Sequence, residues 1–197
     1  MSRNMEDRRI QKTKQLLQST LLHLLEEKTF EKINVTEICQ KAGVSRITFY
    51  THYADKYELA DDLFEQYVIK AKAMFVIREK ADNPQGDSLK SYCNILDTIL
   101  DILSQNQSFF SIIATDRNPY LSLHLYDTVL KTIEERTILE SHRHTLRYSP
   151  AQITGFLCYG LAGFLNESIK ENGDRDTVRT QCRQLLKVIL RSTAIIE

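Results

Sequence analysis

Hydrogen-bonding side chains are concentrated in one short segment of the chain, GVSRITFYTHYADKYEL, which spans Gly43–Leu59. Serine, arginine and threonine alternate there with tyrosine and histidine. Hydroxyl, guanidinium and imidazole groups on short or rigid stems are the donors that proteins use to hold phosphate oxygens and to read base edges. The residue types in this segment therefore indicate contact with a nucleic acid.

Two short helices joined by a tight turn are predicted around this segment. The first runs from Thr36, which stands at the position of a cap, to about Ala42, and Gly43 ends it. Ser45 caps the second helix, which runs to about Tyr53. Two such helices with a glycine between them outline a helix-turn-helix, whose second helix enters the major groove of DNA.

The second helix is too short to be stable through its own backbone hydrogen bonds. Val44, Phe49 and Tyr53 are spaced to lie on one side, so we expect them to anchor it to the neighbouring helices. The side chains left to face outward are hydrogen-bond donors: Ser45, Arg46, Thr48, Tyr50 and His52. Lys56 lies just beyond them, at the start of the next helix.

The charge of the chain is balanced, with 26 basic and 26 acidic residues among 197. No global field therefore attracts the protein to DNA or to a membrane surface. Residues 1–57 carry ten Lys and Arg against seven Asp and Glu, and the rest of the chain carries sixteen against nineteen. Four basic residues of the first helix are either an ordinary solvated face or contacts to the DNA backbone: Arg8, Arg9, Lys12 and Lys14.

The stretch VTEICQKAGVSRITFYTHYADKYEL resembles the DNA-binding segment of the TetR (tetracycline-repressor) family. The family pattern ends its second helix in alanine-glycine-valine-serine and continues with threonine, a hydrophobic residue, tyrosine, histidine, an aromatic residue, and lysine before leucine. The matching positions are Ala42, Gly43, Val44, Ser45, Thr48, Phe49, Tyr50, His52, Tyr53, Lys56 and Leu59. Asp55 stands where the family often has serine, and Tyr53 replaces the commoner phenylalanine, which adds a hydroxyl at the edge of the core. The resemblance covers about Arg8–Leu63, roughly a third of the chain.

This resemblance implies an all-α subunit of about nine helices that works as a homodimer, with each head reading one half of a near-palindromic operator. It implies an N-terminal three-helix helix-turn-helix DNA-binding domain at residues 1–57 and a larger helical ligand-binding and dimerisation domain at residues 58–197. The residues predicted to contact double-stranded DNA are Thr36, Ser45, Arg46, Thr48, Tyr50, His52 and Lys56.

Helical periodicity extends over the whole chain, which has only three prolines and six glycines. A first helix is predicted over about Asp7–Glu27, and Asp55 caps a long fourth helix that ends before the polar linker ADNPQGDS, Ala81–Ser88. Ser149 is expected to cap the helix that begins at Pro150. Apolar faces beyond the linker predict helices over about Leu89–Leu103, Leu121–Ile133, Pro150–Asn172 and Asp174–Ile195.

The last two predicted helices are apolar on more sides than one subunit can cover. Packing one face inward and another against the same helices of a second copy would bury both, in a self-complementary interface. The residues predicted to form this interface are Ala151, Gly155, Cys158, Ala162, Leu165, Val178, Cys182, Leu185 and Ile189.

Aromatic residues with polar tips recur in the larger domain and are either ordinary core packing or the lining of a ligand cavity. The candidates for ligand binding are Tyr92, Phe110, His124, Tyr126, Tyr159 and Asn166. Gly160 and Gly163 are interpreted as positions that allow close approach of helices.

Enzymatic and metal-dependent functions have no support in the sequence. It contains no phosphate-binding glycine loop, no G-x-S-x-G and no H-E-x-x-H. The SHRH segment, Ser141–His144, places its two histidines at i and i+2, which do not share a helical face. The four widely spaced cysteines are interpreted as reduced core residues. The sequence thus predicts neither a cofactor nor a metal.

A cytoplasmic location is predicted, because no charged-then-apolar leader opens the chain and no apolar run is long enough for a membrane span. The longest run, FLCYGLAGFL, covers Phe156–Leu165 and is about half the length that a span needs.

Two functions remain open for a DNA-binding regulator of this kind. In the first, the protein is a repressor that a small-molecule effector releases from a palindromic operator. In the second, a partner protein docks on the carboxy-terminal domain and controls a regulator that could be an activator. The stretch CYGLAGFLNESIKENG distantly resembles TetR-family members grouped with regulators of dihydroxyacetone kinase genes, for which protein partnership is known, although the tryptophan expected after the glycines is absent.

Overall fold

A computed structural model describes residues 2–106, 118–142, 145–171 and 174–191, and the all-α class predicted from the sequence is confirmed. The described residues form eight α-helices and one short 3₁₀ helix, Phe30–Lys32. The α-helices are α1 Ser2–Glu27, α2 Val35–Ala42, α3 Arg46–Tyr50, α4 Lys56–Asp82, α5 Ser88–Gln105, α6 Pro119–Ser141, α7 Pro150–Lys170 and α8 Arg175–Arg191. The predicted helix end at residues 172–173 and the predicted extension to Ile195 lie outside the described residues.

Most of the predicted helix boundaries are confirmed because side chains near in sequence create them. Ser45 Oγ accepts the backbone N–H of Thr48 at 3.0 Å and thereby caps α3. The carboxylate of Asp55 accepts two backbone N–H groups in the first turn of α4, and Ser149 and Gln152 exchange reciprocal bonds at the start of α7. Gly43 ends α2 with φ of 65°, in the left-handed region that favours glycine.

Other boundaries differ from the prediction, such as the end of α3, which is Tyr50 and not Tyr53, and the end of α6, which is Ser141. The cap of α2 is Asn34 and not Thr36, because Asn34 is extended and its side-chain oxygen accepts the N–H of Glu37 at 3.0 Å. Thr36 lies inside the first turn of α2 and is exposed. The first helix begins at Ser2, ahead of the predicted Asp7.

The chain divides into two compact units. The first comprises the described parts of Met1–Ile69 and Asn106–Leu125, and the second comprises those of Lys70–Gln105 and Tyr126–Glu197. Helices α4 and α6 each contribute residues to both units. The predicted division after residue 57 separates DNA binding from ligand binding and dimerisation, and it stays a prediction.

Apolar side chains of α1, α2, α3, α4 and α6 form the core of the first unit. Those with at most 1% of their surface exposed are Leu17, Leu21, Leu24, Phe30, Ile33, Ile38, Phe49, Leu59, Ala60 and Leu121. On α1 the leucines recur at spacings of four and three, which is the period of a single helical face. The core therefore gathers all three helices of the predicted head.

The core of the second unit is formed by α5, α6, α7 and α8. Its buried members include Tyr92, Leu96, Leu157, Leu186 and Leu190. The four cysteines are unpaired and buried, as predicted, and burial raises the pKa of the Cys158 thiol to about 11. Such thiols stay protonated at neutral pH and behave as small apolar groups.

A buried carboxylate within the second unit organises three helices around itself. Asp97 on α5 is 3% exposed and lies 3.6 Å from a guanidinium nitrogen of Arg78 on α4, and 3.5 Å from those of Arg179 and Arg183 on α8. Arg78 and Arg179 also donate to Asp101, one turn further along α5. Because a buried charge is costly without partners, this cluster links α4, α5 and α8 in one arrangement.

Replacing Asp97 by asparagine is expected to lower the free energy of unfolding by about 3 kcal/mol, since the three arginines would lose the buried negative charge between them. Urea unfolding followed by circular dichroism measures this change. The matched control is Lys72→Ala, which breaks a 3.8 Å pair with Glu135 between exposed side chains and should cost less than about 1 kcal/mol. Equal losses in the two variants would contradict a structural role for Asp97.

Candidate nucleic-acid interface

Helix α3 has five residues and is held in place by its neighbours. Its cap is Ser45, its Phe49 is fully buried in the core of the first unit, and Tyr53 just beyond its end is 2% exposed. A helix of this length has too few internal hydrogen bonds to persist alone. The orientation of α3 is therefore set by these buried aromatic rings, as the sequence predicts.

The predicted DNA-contacting residues of α3 lie on its exposed side. Arg46 is exposed and its guanidinium lies 5.9 Å from the centre of the ring of Tyr50, which is also exposed. Thr48 is half-buried, and its hydroxyl lies 2.9 Å from the hydroxyl of Ser45. His52 is half-buried, with its ring 6.4 Å from that of Tyr53. The surface thus combines a cation, hydroxyls and an imidazole, which are groups that bind phosphates and base edges.

Lys56 was predicted to contact DNA, but the structure gives it another role. Its ammonium donates to the backbone carbonyls of Phe30 at 2.8 Å, Glu31 at 3.1 Å and Ile33 at 2.8 Å. An ammonium has three N–H donors, so all of them are used. Burial lowers the pKa of Lys56, and the carbonyls at the end of the 3₁₀ helix replace part of its lost hydration. Lys56 therefore fastens the start of α4 to the segment between α1 and α2.

A second set of polar contacts holds α1 and α4 to the end of α3. The carboxylate of Asp62 on α4 accepts from the Tyr53 hydroxyl at 2.6 Å, from Lys14 at 3.2 Å and from Gln18 at 3.1 Å. Burial and this carboxylate both raise the pKa of Tyr53, so its hydroxyl remains a donor. Lys14 also lies 5.1 Å from the centre of the Tyr53 ring. Of the four basic residues predicted on α1, Lys14 is therefore engaged within the head, whereas Arg8, Arg9 and Lys12 are exposed.

The beginning of α6 is bound to the head by contacts that sequence reasoning missed. Asn118, which is buried, accepts the backbone N–H of Phe30 at 2.7 Å. Tyr120 stacks on Phe30 with ring centres 5.4 Å apart and donates its hydroxyl to Asp61 at 3.2 Å. These partners lie far apart in the sequence, so no local pattern predicts them.

Ile47 is also part of the exposed side of α3 and was not among the predicted contacts. It is 80% exposed, between Arg46 and Thr48. The signal was present in the sequence, because a residue two positions before the buried Phe49 is rotated by about 200° around a helix and so faces away from the core.

The structure places the predicted interface residues of α7 and α8 on two different sides. Cys158, Val178 and Cys182 are buried in the core of the second unit of one chain, so they are not available to a second copy. Gly155, Leu165 and Ile189 are half-buried, and Ala151, Ala162 and Leu185 are exposed. Helices that are apolar on several sides do not reveal which side faces their own core, and this ambiguity is the reason for the error.

Large apolar side chains that the prediction did not include lie exposed on the same two helices. They are Phe156 at 61% and Tyr159 at 66% on α7, and Val188 at 69% on α8. Gly160 and Gly163 have open space where a side chain would begin. The exposed apolar face of α7 and α8 is therefore defined by Phe156, Tyr159, Leu185 and Val188.

The predicted ligand-binding residues are not gathered in one place. Tyr92 donates to Thr137 at 2.9 Å in the core, where Thr154 lies 3.0 Å from Thr137. Tyr126 packs against Tyr159, with ring centres 4.3 Å apart. His124 belongs to the first unit, with its ring 4.8 Å from Phe64 and its Nε2 atom 3.6 Å from Asp61.

The two other predicted ligand residues, Asn166 and Phe110, add no ligand site to this arrangement. Asn166 is exposed, and Phe110 lies outside the described residues. A concavity of about 610 Å³, open to solvent, is lined by Ser141, His142, Thr145, Leu146, Arg147, Tyr148, Ser149 and Pro150. None of the five candidates that the structure describes lines it.

The described residues contain neither a metal-binding cluster nor a membrane-spanning helix. No group of three or more histidine, cysteine, aspartate or glutamate side chains there could hold a metal ion. None of the helices described is both long enough and apolar enough to cross a membrane.

A capped helix that is anchored on one side and carries exposed donors on the other, preceded by a second short helix and a glycine turn, defines a helix-turn-helix DNA-binding protein. Residues 19–63 match the model of the bacterial regulatory proteins of the tetR family. The uncharacterized HTH-type transcriptional regulator YxbF of Bacillus subtilis strain 168 is 28% identical over 162 residues, which cover 79% of this chain and 41% of that protein. The chain thus spans less than half the length of this relative.

Solved structures with the same fold cover nearly the whole chain. A protein of Syntrophomonas wolfei assigned to the TetR family superposes with a TM-score of 0.73 at 12% identity, covering 93% of this chain and 97% of its own. The fatty acid degradation regulator FadR of Bacillus halodurans superposes with a TM-score of 0.62 at 15% identity, covering 88% of this chain and 93% of its own. The flavonoid-responsive regulator FrrA superposes with a TM-score of 0.63 at 16% identity, covering 91% of this chain and 96% of its own. Residues 19–63 are thus similar to the tetR family of bacterial regulatory proteins, and the chain as a whole shares the fold of these solved structures.

Replacing Lys56 by alanine is expected to lower the free energy of unfolding by about 2 kcal/mol, because three backbone carbonyls lose a charged donor. Thermal unfolding measures the change, with Lys32→Ala, an exposed lysine of the 3₁₀ helix, as the control. The salt dependence of DNA binding should keep its slope at temperatures where the variant is folded. If the variant were as stable as the wild type and the salt-dependence slope of its DNA binding fell by about one, Lys56 would instead be a contact to a DNA phosphate.

Substitutions on the exposed side of α3 are expected to affect DNA binding in two ways, by lowering affinity and by relaxing base preference. Tyr50→Phe and His52→Ala should weaken binding to all DNA sequences alike, because phosphate contacts do not depend on the base. Arg46→Ala should also relax the preference at particular base pairs, because arginine reads base edges. Competition binding with base-substituted duplexes separates the two. If Arg46→Ala bound DNA more weakly but kept the same base preference at every position, Arg46 would be a contact to the DNA backbone.

Proposed function

We propose that the protein is a sequence-specific transcriptional regulator that binds a palindromic operator as a homodimer, one half-site to each α3. The observation that carries the proposal is the anchored α3, in which Phe49 is buried while Arg46, Ile47 and Tyr50 are exposed. Specific DNA binding by this motif needs such a helix at the protein surface. The operator, and hence the regulator, would lie in the cytoplasm of a bacterium.

The exposed face of α7 and α8 supports the homodimer. Three of its large side chains have more than half of their surface in solvent, which is costly when they lie together on one face. Gly160 and Gly163 leave room for the backbone of another helix to approach closely. A second copy that presents the same face would cover these side chains in a self-complementary contact.

Release of the operator by a small molecule is proposed for the second unit. Two proteins with the same fold are described as a fatty acid degradation regulator and as a flavonoid-responsive regulator. For this chain we propose an effector that is likewise small and largely apolar, as fatty acids and flavonoids are. Such an effector would turn off a repressor by binding the conformation that does not fit DNA more tightly than the one that does.

Control by a partner protein is the second candidate. It is favoured by apolar side chains that lie exposed elsewhere in the second unit, since such groups mark interaction surfaces. Val76 and Ile77 on α4 are 48% and 69% exposed, and Ile138 and Leu139 on α6 are 42% and 56% exposed. A regulator controlled in this way could activate as well as repress.

Val188→Glu is expected to give a folded, helical monomer, because Val188 is exposed in one chain and the charge would be buried only between two copies. Sedimentation velocity measures the mass, and affinity for the operator should fall because the two heads are no longer joined. The matched control is Val178→Glu, which places the same charge in the core of one chain and should unfold it. A wild-type protein that stays monomeric at micromolar concentration contradicts the dimer.

A true effector should bind the free protein more tightly than the operator-bound protein, by the same factor by which it weakens operator binding. A thermal-shift screen of metabolites, including fatty acids and flavonoids, finds candidates, and titration with and without operator measures the factor. If no compound shifts the melting temperature while a stoichiometric partner protein changes operator affinity, the second candidate replaces the first.

A further inference from the structure

Ile47 has no role in holding the head together. It is the most exposed of the large apolar side chains among the described residues, at 80%, although it lies in a helix whose other apolar residue, Phe49, is fully buried. A β-branched residue also gives no advantage to a short helix through propensity. Neither packing nor helix formation therefore explains an isoleucine here.

The position of Ile47 on α3 is central to the surface that faces DNA. Because residues advance by about 100° around a helix, Ile47 lies about 200° from Phe49 and so points away from the core. Arg46 and Thr48, both predicted to contact DNA, lie about 100° to either side of it, and the exposed Tyr50 follows about one turn later. An apolar side chain at this centre would meet the floor of the groove, and the donors around it would meet phosphates and base edges.

The floor of the major groove offers an isoleucine one suitable partner. Guanine, cytosine and adenine present hydrogen-bond donors and acceptors there. Against an alkyl group these would lose their hydrogen bonds to water and gain none from the protein. Thymine presents a C5-methyl group, which gains from contact with an apolar side chain. Phosphate oxygens give an alkyl group no favourable contact.

We propose that Ile47 is a specificity-determining residue that reads a thymine methyl group, so that each operator half-site carries a thymine opposite it. This inference rests on the proposed function as an operator-binding regulator, and it adds the base and the atom that are recognised. Arg46 and Thr48 would then read or position the base pairs on either side.

The test exchanges thymine for deoxyuridine, which removes the methyl group and leaves all hydrogen-bonding groups in place. An operator is first selected from random duplex DNA with the full-length protein, and every thymine of one half-site is then replaced singly. Fluorescence anisotropy should show one position at which wild-type affinity falls about fourfold, the effect expected for one buried methyl group. Ile47→Ala should bind the two duplexes equally at that position, and Ile47→Val should keep most of the discrimination.

The controls separate recognition from a general effect. Ile77→Ala removes another exposed isoleucine, 69% in solvent, from α4 and should leave the deoxyuridine effect unchanged. Ile47→Ala should melt close to the wild-type temperature, because about four-fifths of the Ile47 surface is already in solvent. A merely structural role would weaken all duplexes alike and leave the fourfold difference in place.

The proposed operator-binding function and the proposed role of Ile47 are overturned by different results. If no sequence is enriched and binding to all duplexes is equal, the proposed function is overturned and the inference falls with it. If an operator is selected but no thymine shows a methyl effect that Ile47→Ala abolishes, the operator-binding function stands and the role of Ile47 is overturned.

Discussion

Burial of the Phe49 ring is the interaction on which the head of this protein depends. A five-residue helix cannot persist by its own hydrogen bonds, so α3 forms because Phe49 is enclosed and because Tyr53 beyond it is bonded to Asp62. Two anchored rings fix the rotation of α3 about its axis. This rotation decides which side chains reach solvent, and it is the reason that Arg46 and Ile47 stand on the outer surface. Lys56 and Asn118 strengthen the same arrangement by binding the backbone around Phe30.

Sequence reasoning predicted what is decided by neighbours along the chain. The caps Ser45 and Asp55 follow from residues two or three positions away, and the turn at Gly43 follows from the backbone freedom of glycine. The role of Lys56 could not be predicted in this way, since its carbonyl partners lie more than twenty residues earlier. Helix α7 raised a different difficulty, because a helix that is apolar on several sides has no preferred inner face in the sequence, and Cys158 was therefore assigned to the wrong side.

The second unit depends on a buried charge as well as on apolar packing. Asp97 and Asp101 on α5 hold arginines of α4 and α8, so the relative positions of three helices follow from one set of ion pairs. Buried ion pairs add little net stability compared with apolar contacts, but they penalise arrangements in which a charge loses its partner. The predicted ligand residues are instead used within the fold or exposed, because polar tips on aromatic rings satisfy core partners as readily as ligands.

A helix-turn-helix protein built on this head should distinguish one DNA sequence from all others, and a direct measurement of that discrimination tests the account at its centre. The full-length protein is used to select a duplex from random DNA, and its dissociation constant is compared with that of a scrambled duplex at physiological salt. We predict an inverted repeat bound at least about a thousandfold more tightly than the scrambled sequence. Equal affinity for the two duplexes, with binding that depends only on salt, would contradict the account.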